Sequence, residues 1–330
     1  MTLQEIAKKL VADNKGILAA DESFGTIEKR FQKIGLESNE ENRRIYRELL
    51  FTTPNMEEFI SGVIMFDESM RQNAGDGRNF VQVLEDKGVL PGIKVDKGKE
   101  PLPGFPEESI TLGLDDLRER LKEYHDMGAK FTKWRAAIKI GSGLPTKAAV
   151  HANAHALARY AALAQEAEMV PIVEPEVLMD GEHRLDQCGI VTNMVLDEVF
   201  EQLMIYKVDL SGILLKPNMV ISGKDNAEQA TAEEVAEATM EVFKNSVPSE
   251  VPGIVFLSGG QSATEATKNL CEINRENEGK HPWALSFSFG RALQNEPLEV
   301  WHGNGDNWQS AQDAFYNAAK ADAEARRGVC

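Results

Sequence analysis

The sequence predicts an α/β protein: a closed (β/α)8 barrel of the TIM type, in a single domain over residues 1–330. Three observations predict it. Eight short β-type runs alternate with longer segments of helical period, which implies parallel strands with crossover connections. Capping and glycine signals punctuate the passages from strand to helix. Neither a Gly-x-Gly-x-x-Gly after the first run nor a linker-like stretch favours an open doubly wound sheet or a second domain. With 330 residues, 42% hydrophobic and 27% charged, the chain has the length and composition of a soluble globular protein.

Residues 1–14 carry an amphipathic helical pattern, too polar for a signal peptide. The β-type runs follow at 16–20 (GILAA), 60–66 (ISGVIMF), 92–96 (GIKVD), 131–138 (FTKWRAAI), 170–177 (VPIVEPEV), 212–216 (GILLK), 253–258 (GIVFLS) and 283–288 (WALSFS). Between them, Ser38-x-x-Glu41, Thr231-x-x-Glu234 and Ser262-x-x-Glu265 read as capping boxes that open helices, since their side chains satisfy the free amides of a first turn. The Gly/Pro-rich segment 97–106 reads as a long loop after the third strand. The acidic, alanine-rich segment 226–245 reads as a helix with a solvated face.

A formal net charge of −17 argues against a general nucleic-acid binder and requires any anionic substrate to meet a local island of positive charge. Cys188, Cys271 and Cys330 are odd in number and far apart, with no metal-ligand spacing. They suit a reducing compartment and no disulfide framework. The longest apolar stretches are only strand-length, so no membrane association is expected and the cytoplasm is the predicted location.

The polar residues of the strands are not scattered. Asp21 ends the first run; Lys94 and Asp96 lie two apart in the third, Lys133 and Arg135 in the fourth, Glu174 and Glu176 in the fifth; Lys216 ends the sixth. Residues two apart share a face, and the C-terminal ends of barrel strands are where such folds assemble their sites. Any one of these groups can be half of a structural ion pair, but their convergence on one mouth is a costly way to build a core. Beside Lys133 and Arg135, a buried Lys216 is expected to have a lowered pKa and to act as an amine nucleophile toward a carbonyl. The resulting Schiff base needs carboxylates that shuttle protons, for which Glu174 and Glu176 have the right type and spacing; Asp21 is placed to bind a substrate hydroxyl.

Two loops offer anion sites. "LSGGQS" after the seventh run contributes Ser258, Gly259 and Gly260, and "SFGRAL" after the eighth contributes Ser288, Gly290 and Arg291. Both place glycine between a strand and a helix start, in the loops where barrels commonly hold phosphate. A second anion site is expected from Ser23, Thr26 and Arg30 with Lys94. Two phosphate sites flanking a lysine imply a substrate with a phosphate at each end. His151 and His155, at i and i+4 in "HANAH", lack the Glu of an H-E-x-x-H motif and read as structural or surface residues, so no metal is expected. Trp134, between Lys133 and Arg135, should face outward and pack against helices.

Over nearly its whole length the sequence resembles class I fructose-bisphosphate aldolase, in "GILAADES", "GIKVDKG", "KWRAAIKIG", "VPIVEPEVL", "GILLKPNM", "FLSGGQS" and "PWALSFSFGRALQ". The resemblance implies reversible cleavage of fructose 1,6-bisphosphate to dihydroxyacetone phosphate and glyceraldehyde 3-phosphate, without metal or cofactor. Lys216 would form the Schiff base at C2, Lys133 and Glu174 would assist carbinolamine formation and dehydration, and Glu176 would belong to the same proton network. Asp21 would orient or deprotonate the C4 hydroxyl. Ser258, Gly259, Gly260 and Arg291 would hold the phosphate of the dihydroxyacetone half, and Ser23, Thr26, Arg30, Lys94 and Arg135 would serve the other end. A homo-oligomer, tetramer or dimer, is also implied. Two departures stand out: the terminal tyrosine of the animal relatives has no counterpart after Tyr316, which sits in a predicted helix, and Phe289 replaces a tyrosine. Two rival readings are another Schiff-base barrel enzyme, such as a transaldolase or a different sugar-phosphate aldolase, and a scaffolding protein that kept the barrel; the intact polar set speaks against lost catalysis.

Overall fold

Inward-facing positions change from apolar to charged along five of the barrel strands, those leading to Asp21, Lys94, Lys133 and Arg135, Glu174 and Glu176, and Lys216, and that gradient shapes the molecule. The computed structural model describes residues 1–277 and 279–330. Its barrel strands are β1 (Gly16–Ala20), β2 (Ile60–Met65), β3 (Leu90–Lys94), β6 (Phe131–Ile138), β7 (Val170–Val177), β8 (Leu214–Leu215), β9 (Gly253–Phe256) and β10 (Ala284–Phe289). They close in the order β1-β10-β9-β8-β7-β6-β3-β2, and every neighbouring pair is parallel. Parallel neighbours need crossovers, and most are supplied by helices on the outside, so strand side chains on that face join the helices in one apolar layer.

The barrel interior is a second, smaller apolar cluster that includes Ile17, Ile64, Leu90, Phe131, Val170, Ile172, Leu214 and Val255. Phe131 occupies the room left by Gly92, where an added Cβ would lie 2.3 Å from the ring. From below, the helix Leu3–Leu10 plugs the barrel with Ile6, Ala7 and Leu10, and Thr2 with Glu5 forms its capping box. Filling the lower barrel this way leaves the upper end to the polar residues two and four positions farther on: Leu90 leads to Lys94, Phe131 to Lys133 and Arg135, Ile172 to Glu174 and Glu176, Leu214 to Lys216.

Several local expectations are corrected. The segment 97–106 is not a plain loop; β4 (Lys99–Leu102) and β5 (Phe105–Thr111) form an antiparallel hairpin beside the barrel, turning at Gly104 with φ +84°. Ser38 does not open a helix. Asn39 caps Glu40–Phe51 by accepting from the Asn42 amide at 2.8 Å, while the Ser38 carbonyl accepts from Arg43. The boxes at Thr231 and Ser262 do form. The acidic helix begins at Ala232, later than expected, because Asn226 turns back to donate to the Glu182 and His183 carbonyls. The third strand runs Leu90–Lys94, in register with β2 from Gly62, and β8 keeps only two residues since Leu210–Gly212 form a turn of 3-10 helix. Cys271 and Cys330 are joined in a disulfide, against the expectation of none: the chain end folds back onto the helix Ala263–Asn277 and brings their Cα atoms to 5.8 Å. Cys188 is free and buried.

Candidate active site

Strand register brings the charges together before any loop is considered. In β3 and β6, Lys94 pairs with Lys133; in β6 and β7, Arg135 pairs with Glu174. Asp21 follows the last residue of β1, and the Lys216 amide extends the ladder beyond β8 by donating to the Val173 carbonyl at 2.8 Å. Lys133 Nζ lies 2.6 Å from Asp21 Oδ2, 3.3 Å from Glu174 Oε2 and 4.0 Å from Asp96 Oδ2. On the other side of Glu174, Oε1 stands 3.4 Å from Lys216 Nζ. One buried carboxylate therefore touches two buried lysines.

These contacts fix the charge states. Burial alone would raise the Asp21 carboxyl, but the ammonium groups of Lys133, Lys216 and Lys94 overcome it and hold Asp21 well below the usual carboxylate range. Glu174 is likewise lowered: burial opposes ionisation, and Lys133, Lys216 and Arg135 outweigh it. For Lys133 desolvation would favour the neutral amine, yet Asp21, Glu174 and Asp96 push its pKa up, so it remains an ammonium at neutral pH. Arg135 is raised too, against burial, mainly by its ion pair with Glu176. Lys216 thus has a proton acceptor beside it and a fixed cation beyond.

All of this faces one cavity of about 1000 Å³. Every residue assigned to the site from the sequence lines it except Gly260. Gly260 stands behind the wall, at φ +78° with Met179 so close that an added Cβ would lie 2.5 Å from the Met179 Cβ. Ser258 and Gly259 form the wall in front of it. Ser288 presents a buried hydroxyl with no partner among the described residues, and Gly290 opens the helix Arg291–Trp301 at the cavity edge. Free amides of a helix start, a serine hydroxyl and the Arg291 guanidinium suit a phosphate. Across the mouth, Ser23 and Thr26 share a hydrogen bond of 3.1 Å, and Lys94 sits 3.6 Å from Asp96 and over the Phe66 ring. Arg30 lies between the two groups, its Nη2 3.8 Å from where a Gly290 Cβ would stand.

Among the polar residues that line the cavity without an assignment from the sequence, Asp96 and Glu22 stand nearest the lysine–carboxylate network. Asp96 was seen at a strand end, but its contact with Lys133 depends on the turn beyond β3; its placement two residues after Lys94 was the available signal. Glu22, buried beside Asp21 in "ADES", gave no signal of its own. Elsewhere, Trp134 packs outward on Tyr160, ring centroids 5.6 Å apart. His151 bonds Glu198 at 2.7 Å and His155 bonds Tyr206 at 3.3 Å on the helix Lys147–Glu166. Among the described residues, no cluster of three or more His, Cys, Asp or Glu is arranged to hold a metal ion, and no helix is long and apolar enough to cross a membrane.

Comparison with known proteins bears on the whole chain. The family model for fructose-bisphosphate aldolase class-I matches residues 2–329. A probable fructose-bisphosphate aldolase class 1 of Xanthomonas campestris pv. campestris is 51% identical over 327 residues, 99% of this chain and 97% of the relative. Fructose-bisphosphate aldolase 6, cytosolic, of Arabidopsis thaliana is 52% identical over 315 residues, 96% of this chain and 87% of the relative. Among solved structures, the fructose-bisphosphate aldolase of Plasmodium falciparum, in complex with TRAP and a small-molecule inhibitor, superposes with a TM-score of 0.97 at 47% identity, covering 99% of this chain and 94% of that one.

Proposed function

This chain belongs to the class I fructose-bisphosphate aldolase family, which cleaves fructose 1,6-bisphosphate reversibly to dihydroxyacetone phosphate and glyceraldehyde 3-phosphate through a lysine Schiff base, and we propose that Lys216 is that lysine. The observation that carries the assignment is Glu174, whose two carboxylate oxygens face Lys216 at 3.4 Å and Lys133 at 3.3 Å. Glu174 Oε1 takes a proton from the Lys216 ammonium and frees the amine, which attacks C2 of the open-chain ketose. The carbinolamine then loses its hydroxyl as water, with Glu174 returning the proton and the Lys133 ammonium stabilising the departing oxygen.

In the iminium that remains, C2 is an electron sink. Asp21 accepts the C4 hydroxyl proton, the C3–C4 bond breaks, and its electron pair passes into the enamine as glyceraldehyde 3-phosphate leaves. Protonation at C3 and hydrolysis release dihydroxyacetone phosphate and restore Lys216. Glu176 holds Arg135 against this network. Ser258, Gly259, Ser288, Gly290 and Arg291 hold the phosphate of the dihydroxyacetone half, with Gly260 keeping the loop in shape; Ser23, Thr26, Arg30, Lys94 and Arg135 serve the other end.

The same reading takes the chain as one domain and requires no metal. It places the enzyme in the cytoplasm, supported by plant relatives described as cytosolic, and in a homo-oligomer, tetramer or dimer, as the family resemblance implies. The test is reductive trapping. Incubated with fructose 1,6-bisphosphate and EDTA and reduced with borohydride, the protein gains a three- or six-carbon phosphate adduct on the peptide containing Lys216, while Lys216→Ala gains none and loses turnover. An adduct on another lysine, or substantial activity in Lys216→Ala, refutes the assignment.

A further inference from the structure

At the cavity wall lies a buried charge cluster centred on Glu22, a residue to which the mechanism gives no part. Glu22 follows Asp21 but turns away from the barrel axis, and its side chain is only 4% exposed. Its Oε1 stands 2.5 Å from Arg30 Nη1 and accepts from Gln294 Nε2 at 2.8 Å; its Oε2 accepts from Arg47 Nη2. Gln294 also donates to the Ala19 carbonyl at 2.7 Å, and its own carbonyl accepts from the Tyr46 hydroxyl at 3.2 Å. One carboxylate thus gathers the end of β1, the helices Phe24–Lys33 and Glu40–Phe51, and the helix Arg291–Trp301 that opens at the proposed phosphate loop.

The charge count within this cluster is uneven. Two guanidiniums share a single carboxylate, so one positive charge is left over. Arg30 Nε and Arg47 Nη1 have no acceptor among the described residues, and Arg30 Nη1 meets Glu22 as an ion pair without the geometry of a hydrogen bond. Arg47 is sealed in, with a side chain 4% exposed; Arg30, at 12%, lines the cavity. The uncompensated charge is therefore accessible only at Arg30, held in place beside Gly290. A burial of this kind is unfavourable unless an anion completes it.

We propose that Glu22 is a positioning residue for substrate phosphate: it pins the Arg30 guanidinium on its far side so that Nη2, the guanidinium nitrogen beside Gly290, is left to the cavity, and Gln294 holds Glu22 in register. This rests on the reading of Arg30 as a phosphate ligand. A role through Arg30 predicts that ground-state binding suffers more than the chemical step, and that the effect vanishes when Arg30 is gone.

A double-mutant cycle tests both statements. Glu22→Gln, nearly isosteric but neutral, raises KM for fructose 1,6-bisphosphate on the order of tenfold with kcat changed less than about twofold; Arg30→Ala raises KM at least as much; adding Glu22→Gln to Arg30→Ala raises it no further. Should Glu22→Gln fail to fold, Gln294→Leu replaces it, with a smaller rise in KM that also disappears in the Arg30→Ala background. If Arg30→Ala leaves KM unchanged, the reading of Arg30 fails and the inference with it. If Arg30→Ala raises KM but the Glu22 or Gln294 change does not, or acts equally in both backgrounds, Arg30 stands and the positioning role is refuted.

Discussion

Glu176 is held from two sides. Arg135 pairs with one oxygen, and the peptide of Gly259 lies against the other, so near that a Cβ on Gly259 would stand 2.8 Å from Glu176 Oε1 and 2.9 Å from Leu257 Cδ1. Leu257 can turn aside, but Glu176 cannot without leaving Arg135. In Gly259→Ala either the loop lifts from the cavity wall or the Glu176–Arg135 pair opens. Since misplacements of about 1 Å can cost on the order of a hundredfold, kcat/KM for fructose 1,6-bisphosphate should fall at least tenfold, in steady-state assays at unchanged fold by circular dichroism. Unaltered kinetics would show that this approach is incidental. Residues of this set were legible because strands report their faces: a lysine two places from an arginine, or two glutamates two apart, stand on one side of a sheet whatever follows. Glu22 was not legible for the opposite reason. Its partners come from three helices, and Gln294 is 272 positions away, so no local pattern marks it.

Elements were legible where periodicity and capping agreed, and failed where a turn decided the outcome. Ser38 lost the cap to Asn39, which serves the same purpose one residue later, and the hairpin of β4 and β5 hid in a stretch whose prolines and glycines read as loop. Helix packing also conceals a titrating group. Asp322, on the helix Trp308–Ala325, is buried against Ala263–Asn277, where its one side-chain partner among the described residues is the Thr267 hydroxyl at 2.6 Å. Burial pushes its carboxyl from 3.8 up to about 7, opposed weakly by that bond. The folded state therefore holds this proton more tightly than the unfolded chain: the contribution is fully present below about pH 4 and is lost as pH rises through about 7. Its ceiling is about 4 kcal/mol, at about 1.4 kcal/mol per pKa unit. Asp322→Asn, neutral at every pH, should melt well above the parent at pH 8 and close to it at pH 4. Parallel melting curves across that range would mean that Asp322 titrates as an ordinary carboxyl.

At the scale of the whole molecule, the closed barrel joins its own ends. Arg326 donates to the carbonyls of Val11 and Lys15, at 2.6 Å each, and to that of Ala12, on the side of the barrel closed by the first helix; Ser286 shares the Lys15 carbonyl. The Cys271–Cys330 disulfide secures the segment that carries Arg326. Neither cysteine belongs to a recognisable motif, and the link spans 59 positions, so only the completed fold brings them together. By loop-closure entropy alone a link of that span limits the unfolded chain by about 4 kcal/mol. Opening it should therefore lower the melting temperature by several degrees while leaving kcat and KM within about twofold, because the substrate cavity lies at the opposite ends of the strands. Dithiothreitol and Cys330→Ser should produce the same drop, and dithiothreitol should do nothing further to Cys330→Ser. A reductant that changes neither the melting temperature nor the thiol count would show that the pair is already open in solution. That outcome would fit the proposed cytoplasmic location, where thiols are kept reduced, and it would leave Arg326 and the Thr267–Asp322 bond to hold the C-terminal segment without a covalent tie.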